Sequence, residues 1–234
     1  MRKILLLAVI SIAAFGKLSA QTTYQNSGWF MFVNNTKLNE KWGLQFDAQV
    51  RSSDNWGYVR NTLVRPALQY FFNKNHNVAL GYLWNTTQNQ FSVSGNSFLH
   101  EHRIFEQYIF NHKLSSVFAS HRVRVEQRFI ERSNEDVFSQ RFRYFFRLIQ
   151  PLQKTAASFD KGAFVALQNE VFLNFQNNEK INNCVFDQNR LYLAGGYRFS
   201  KKVDLEIGYM NQAIKNTSNH TNNSIVQLAV YTRF

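Results

Sequence analysis

The stretch that most constrains the fold is the last one, residues 225–234. Val226, Leu228, Val230, Thr232 and Phe234 alternate with Gln227, Ala229, Tyr231 and Arg233. A period of two puts the first set on one face of a β-strand and the second on the other. Strands of about ten residues, apolar outward, polar inward and aromatic at the ends, are those of outer-membrane barrels. Phe234, on the outward face, is expected to close the barrel at the periplasmic rim and to act as the assembly signal.

Composition points the same way. The chain is 16% aromatic, with 23 Phe and 10 Tyr, yet its mean hydropathy is −0.36. A barrel that turns one strand face to lipid and the other to a polar interior accounts for both values. Residues 1–20 read as a secretory signal peptide: Arg2 and Lys3 form a basic start, residues 4–15 an apolar core, and Leu18, Ser19 and Ala20 a small-residue exit. No later stretch reaches the roughly eighteen apolar residues of a spanning helix. Because backbone groups in lipid must be paired internally, a closed barrel is the remaining way across a membrane. The expected domains are thus 1–20, signal peptide, and 21–234, a barrel in the outer membrane of a Gram-negative bacterium.

The net charge is +12, and without Arg2, Lys3 and Lys17 it is +9 (12 − 3). An exported basic chain points away from nucleic acid and towards outer-membrane lipids and small anionic solutes. The single Cys184 excludes an internal disulfide and reads as a surface or wall residue.

Along the chain, residues 28–34 are apolar on both faces and form a strand. Residues 42–51 alternate cleanly, Trp42, Leu44 and Phe46 against Gln45, Asp47 and Arg51. Residues 58–72 follow, with Pro66 predicting a bulge. Further strands are expected around Val78 to Trp84 and over residues 98–110, 117–130, 141–148, 165–175, 188–199 and 203–209. Residues 85–97, 150–161, 176–183 and 215–223 read as loops or connections, mostly long and polar. This pattern counts eleven strands, whereas bacterial single-chain barrels have even numbers. Residues 21–27 can extend over about 24 Å, enough for one short additional strand. The expected fold is therefore all-β, a single up-and-down antiparallel barrel of twelve strands, with ten as the alternative.

Several motifs recur in order: Glu101-His102-Arg103, residues 120–129 (SHRVRVEQRF), Arg141-Phe142-Arg143-Tyr144, residues 169–174 (NEVFLN) and residues 188–192 (QNRLY). Together they resemble an uncharacterised outer-membrane β-barrel family of Bacteroidota, domain of unknown function 2490. The resemblance covers the mature chain. It implies a barrel in the outer membrane and no particular reaction.

The inward face carries the concentrated chemistry. Arg122, Arg124 and Arg128 should lie beside Arg141, Arg143 and Arg147, with Glu126 between them. Glu101 with Arg103, and Glu170 with Arg190, belong to the flanking strands. Like charges facing across a ladder need compensation, so these eleven residues are expected to form a lumenal charge network in a structural barrel. The alternative is a porin-like basic eyelet that selects anions. A second alternative is a lipid-modifying enzyme using His220 and Ser224 in a last long loop, with no Gly-x-Ser-x-Gly elbow to support it. His100, His102 and His121 lack metal-ligand spacing, so neither metal nor cofactor is expected. Trp29, Trp42, Trp56 and Trp84 read as interface girdle.

Overall fold

A computed structural model describes residues 21–91, 95–153 and 158–234. The predicted signal peptide lies outside the described residues. The described residues hold eleven strands: β1 (Thr22–Lys37), β2 (Trp42–Ser52), β3 (Val59–Phe71), β4 (His76–Phe91), β5 (Gly95–Leu114), β6 (Val117–Ile130), β7 (Val137–Pro151), β8 (Gly162–Gln176), β9 (Phe186–Ser200), β10 (Val203–Lys215) and β11 (His220–Arg233). Each pairs antiparallel with its sequence neighbours, and β1 closes the barrel by pairing parallel with β11.

The expected twelve strands, or ten, are thus corrected to eleven. Residues 22–27 do not form a separate strand; they continue straight into β1. Ser27 Oγ, on the inner side, donates to Asn223 Oδ1 at 3.1 Å, and residues 22–35 pair without a break along β11. An odd count leaves first and last strands pointing the same way, so the seam must be parallel. The closure is therefore not wholly up-and-down. At its lower end the Phe234 N–H donates to Asn35 O at 2.9 Å and the Lys37 N–H to Phe234 O at 2.6 Å.

Other expectations are also revised. Pro66 creates no bulge. Its register with β2 is continuous, and only the β3–β4 ladder loses pairs, at positions 65 and 66. Register shifts occur instead at Arg51/Ser52, Gln140/Arg141, Phe172/Leu173 and Val203/Asp204. Much of the expected loop over 85–97 is ladder, since β4 and β5 pair as far as Phe91 and Gly95. The loop expected at 215–223 shrinks to 216–219. Both segments are polar on each face, so their strands carry no alternation to read. Pro151 ends β7, opposite Phe164, rather than lying in a connection.

The alternation sorts the wall as expected. Leu80, Leu193 and Ile207 point outward and are 59%, 61% and 59% exposed, whereas Glu126 and Asn174 point inward and are 0% exposed. The long β7–β8 connection tucks Phe159 into the end of the barrel nearest Phe234. There Phe159 meets Phe164 edge-on at 5.9 Å and joins a buried cluster with Tyr192, Met210 and Ile225. At the opposite end Asn182 folds in and donates to the carbonyls of Phe186 and Lys215, both at 2.9 Å. Each end of the lumen is thus narrowed by a loop residue.

Candidate functional site: an arginine-lined lumen

Inward positions on β5 to β9 supply most of the predicted residues. Glu126 stands opposite Arg141 on β7, and Arg124 stands opposite Arg143. That second pairing sets two like charges face to face. It is tolerated because Glu126 accepts from both neighbours, from Arg143 Nη1 and from Arg141 Nη2 at 2.7 Å. Arg124 turns away instead. It donates to Gln107 Oε1 through Nε at 3.1 Å and Nη2 at 2.6 Å, lies 4.2 Å over the Phe105 ring, and keeps Nη1 3.6 Å from Glu126.

The flanking carboxylates extend the lattice. Glu101 forms a fork with Arg103, at 2.8 and 2.7 Å, and also accepts from Arg128 Nε at 2.6 Å. Glu170 accepts from Arg122 and Arg143, each at 2.7 Å. Guanidinium forks suit this role because their planar donors match a carboxylate two at a time. Arg147 bonds Glu206 across the lumen, from β7 to β10. Arg190 is the exception among the eleven. It has no carboxylate within salt-bridge distance among the described residues, although Glu170 is its direct cross-strand neighbour.

Sequence reasoning left out several members. Asp187 takes the free end of Arg141 at 2.7 Å. Asp204 holds both Arg198 and Arg233 at 2.7 Å. Asp47 lies 3.5 Å from Arg65. Strand parity already put Asp204 and Glu206 inside; Arg198 faces Asp204 directly across the β9–β10 ladder, whereas the Glu206 partner, Arg147, lies on the non-adjacent β7. Trp29 corrects the girdle expectation: it points inward, 7% exposed, with Arg51 3.9 Å over its ring. Trp42, Trp56 and Trp84 are exposed. Residues 28–34 are apolar on both faces, so nothing in the sequence said which face Trp29 takes.

The remaining candidates do not assemble. His220 and Ser224 lie on strand β11, not in a loop. They share its outward face about 13 Å apart, and the Ser224 hydroxyl pairs with Tyr209 at 2.8 Å. His100, His102 and His121 also face outward and pair across strands with Thr86, Tyr82 and Tyr144. Cys184 is a free, half-buried thiol.

Fold and interior define the class: a closed all-β barrel with an apolar outer face and buried arginine–carboxylate ion pairs inside. The sequence model of the family described as "protein of unknown function (DUF2490)" matches residues 26–223. The chain belongs to that family. No curated protein and no solved structure matches it.

Proposed function

We propose that the protein is an outer-membrane barrel whose lumen is filled by its ion-pair network, a structural barrel rather than a wide pore. The observation that carries this reading is the inversion of polarity. Leucine, isoleucine and aromatic side chains cover the outside, and charged side chains are buried within. Contiguous apolar surface on this scale is unfavourable in water, and a lipid-facing wall with a polar interior is its natural setting. Residues 1–20 fit export, and outward Phe234 fits recognition by the outer-membrane assembly machinery. Outer-membrane lipids are then the principal partner. The interior leaves two cavities, of about 290 and 250 Å³, in place of a broad channel. Fractionation tests location: the protein should sediment with outer membranes, be β-rich in detergent and migrate heat-modifiably. Deleting Phe234 should reduce its assembly. Recovery as a soluble periplasmic protein defeats the proposal, and a large steady conductance in planar bilayers defeats the filled lumen.

A further inference from the structure

The two lumenal cavities share four walls: Arg51, Arg65, Arg143 and Arg190. Arg143 is committed to Glu126 and Glu170. The other three are not neutralised in this way. Arg51 and Arg190 have no carboxylate within 4 Å among the described residues. Arg65 has only Asp47, at 3.5 Å, and its Nε is buried without a hydrogen-bond partner, as is Arg190 Nε. Arg65 is 6% exposed.

Aromatic rings hold Arg51 and Arg190 where acids do not. Trp29 lies under the Arg51 guanidinium at 3.9 Å and under that of Arg190 at 5.1 Å. Phe172 lies 4.7 Å from the Arg190 guanidinium as well. Stacking fixes a guanidinium by its face and leaves its edge donors free. Glu170 could have neutralised Arg190 from directly across the β8–β9 ladder, but turns to Arg122 and Arg143. Gln49 accepts from Arg51 and donates to Asp47 at 3.0 Å, which partly occupies the one nearby carboxylate. The result is a preorganised positive site, compensated by no carboxylate beyond the loose contact of Asp47, at the junction of two cavities.

We propose that this junction binds a small tetrahedral oxyanion of the sulfate or phosphate class. Three guanidiniums, carried on β2, β3 and β9, line both cavities. They offer more donors than one planar carboxylate can accept, and a dianion balances their charge better than a monoanion. The site is enclosed in the lumen, so the ligand is the free anion and not a lipid headgroup.

The test uses the full-length protein in neutral detergent, with sodium sulfate and sodium phosphate as probes against sodium chloride at matched ionic strength. Calorimetry should show saturable binding of sulfate or phosphate at about one site per chain, with a matching rise in the thermal midpoint. Arg190→Gln and Arg51→Gln should each weaken binding at least tenfold. Lys180→Gln, the same charge change on the exterior, should leave it unaltered. Heat-modifiable migration verifies folding, and should Arg190→Gln not fold, Arg51→Gln carries the comparison. Absence of saturable binding to the native protein overturns the proposal. So does equal binding by chloride, or unaltered affinity in the folded arginine variants. Binding of acetate as tight as that of sulfate overturns the tetrahedral assignment in favour of a carboxylate site.

Discussion

Two sides of the same lumen solve the problem of burying arginine differently. On the side formed by β5 to β8, each guanidinium but one binds a carboxylate, and Glu126 joins two of them. Arg124, the exception, rests on Gln107 and Phe105 near Glu126. On the side formed by β1 to β3, with Arg190 of β9, Arg51 and Arg190 lie against Trp29 and Phe172 without an acid, and Arg65 has one loose acid contact. The first arrangement spends its hydrogen-bond donors inside the protein. The second gives Arg51 only the neutral Gln49 and leaves Arg65 Nε and Arg190 Nε without an acceptor. A buried charge without a partner is unfavourable, and a buried pair is stabilising only relative to breaking it. The first side therefore serves cohesion, and the second is free to receive something.

The largest effect that separates the two sides should come from Glu126→Gln. It removes the negative charge shared by Arg141 and Arg143, turns one of the two acceptor oxygens into a donor, and leaves like charges facing each other. Breaking a buried pair costs on the order of 3–5 kcal/mol, against about 0–1 kcal/mol for an exposed one. Thermal unfolding in detergent should register the larger loss, and adding Arg124→Gln should restore part of it. A loss below about 1 kcal/mol means a wet lumen and dissolves the contrast.

Next comes a packing change at the wall that joins the two sides. A Cβ on Gly208 would stand 2.5 Å from the Leu193 carbonyl oxygen and 2.5 Å from Ala194 Cβ. Backbone cannot yield as a flexible side chain can, so Gly208→Ala should cost about 1–3 kcal/mol. Gly195→Ala, which meets nothing within 4 Å, serves as the reference. Equal unfolding midpoints for the two variants mean that β9 and β10 are not so closely packed.

Arg190→Gln should do little to stability in sulfate- and phosphate-free buffer, within about 1 kcal/mol in either direction. Lost cation–π stacking and relieved charge burial oppose each other there. A loss comparable with that of Glu126→Gln shows that Arg190 is part of the cohesive lattice after all. The smallest effect is expected at the surface, where Lys201 and Asp160 pair at 3.1 Å while largely exposed. Asp160→Asn should leave the unfolding midpoint nearly unchanged, because solvent screens a pair this exposed. A larger shift would mean that the β7–β8 connection, and with it the seating of Phe159, depends on that pair.

The wall was legible from the chain where one face is apolar and the other polar. Over residues 42–51 and 225–234 the strands follow the alternation within a few residues. It was not legible where both faces are alike. Residues 22–27 and 85–91 are polar on each side, so the first was detached from β1 and the second taken for loop. Trp29 lies in a segment apolar on both sides and was placed on the wrong one. Within the site, the sequence put Glu126 and its arginines on adjacent strands, because neighbours along the chain become neighbours in the sheet. It had no means of joining Arg147 to Glu206, or of denying Glu170 to Arg190.

What the sequence determined by itself is which residues face in and which face out, since a strand's period of two depends only on local backbone geometry. What the tertiary structure alone decided is the strand count, the parallel seam between β1 and β11, and the pairing across the lumen. Those depend on where the sheet meets itself. Closure sets which distant side chains share the interior, and there Glu170 bonds Arg122 and Arg143 and leaves Arg190, its direct neighbour across the ladder, without a carboxylate.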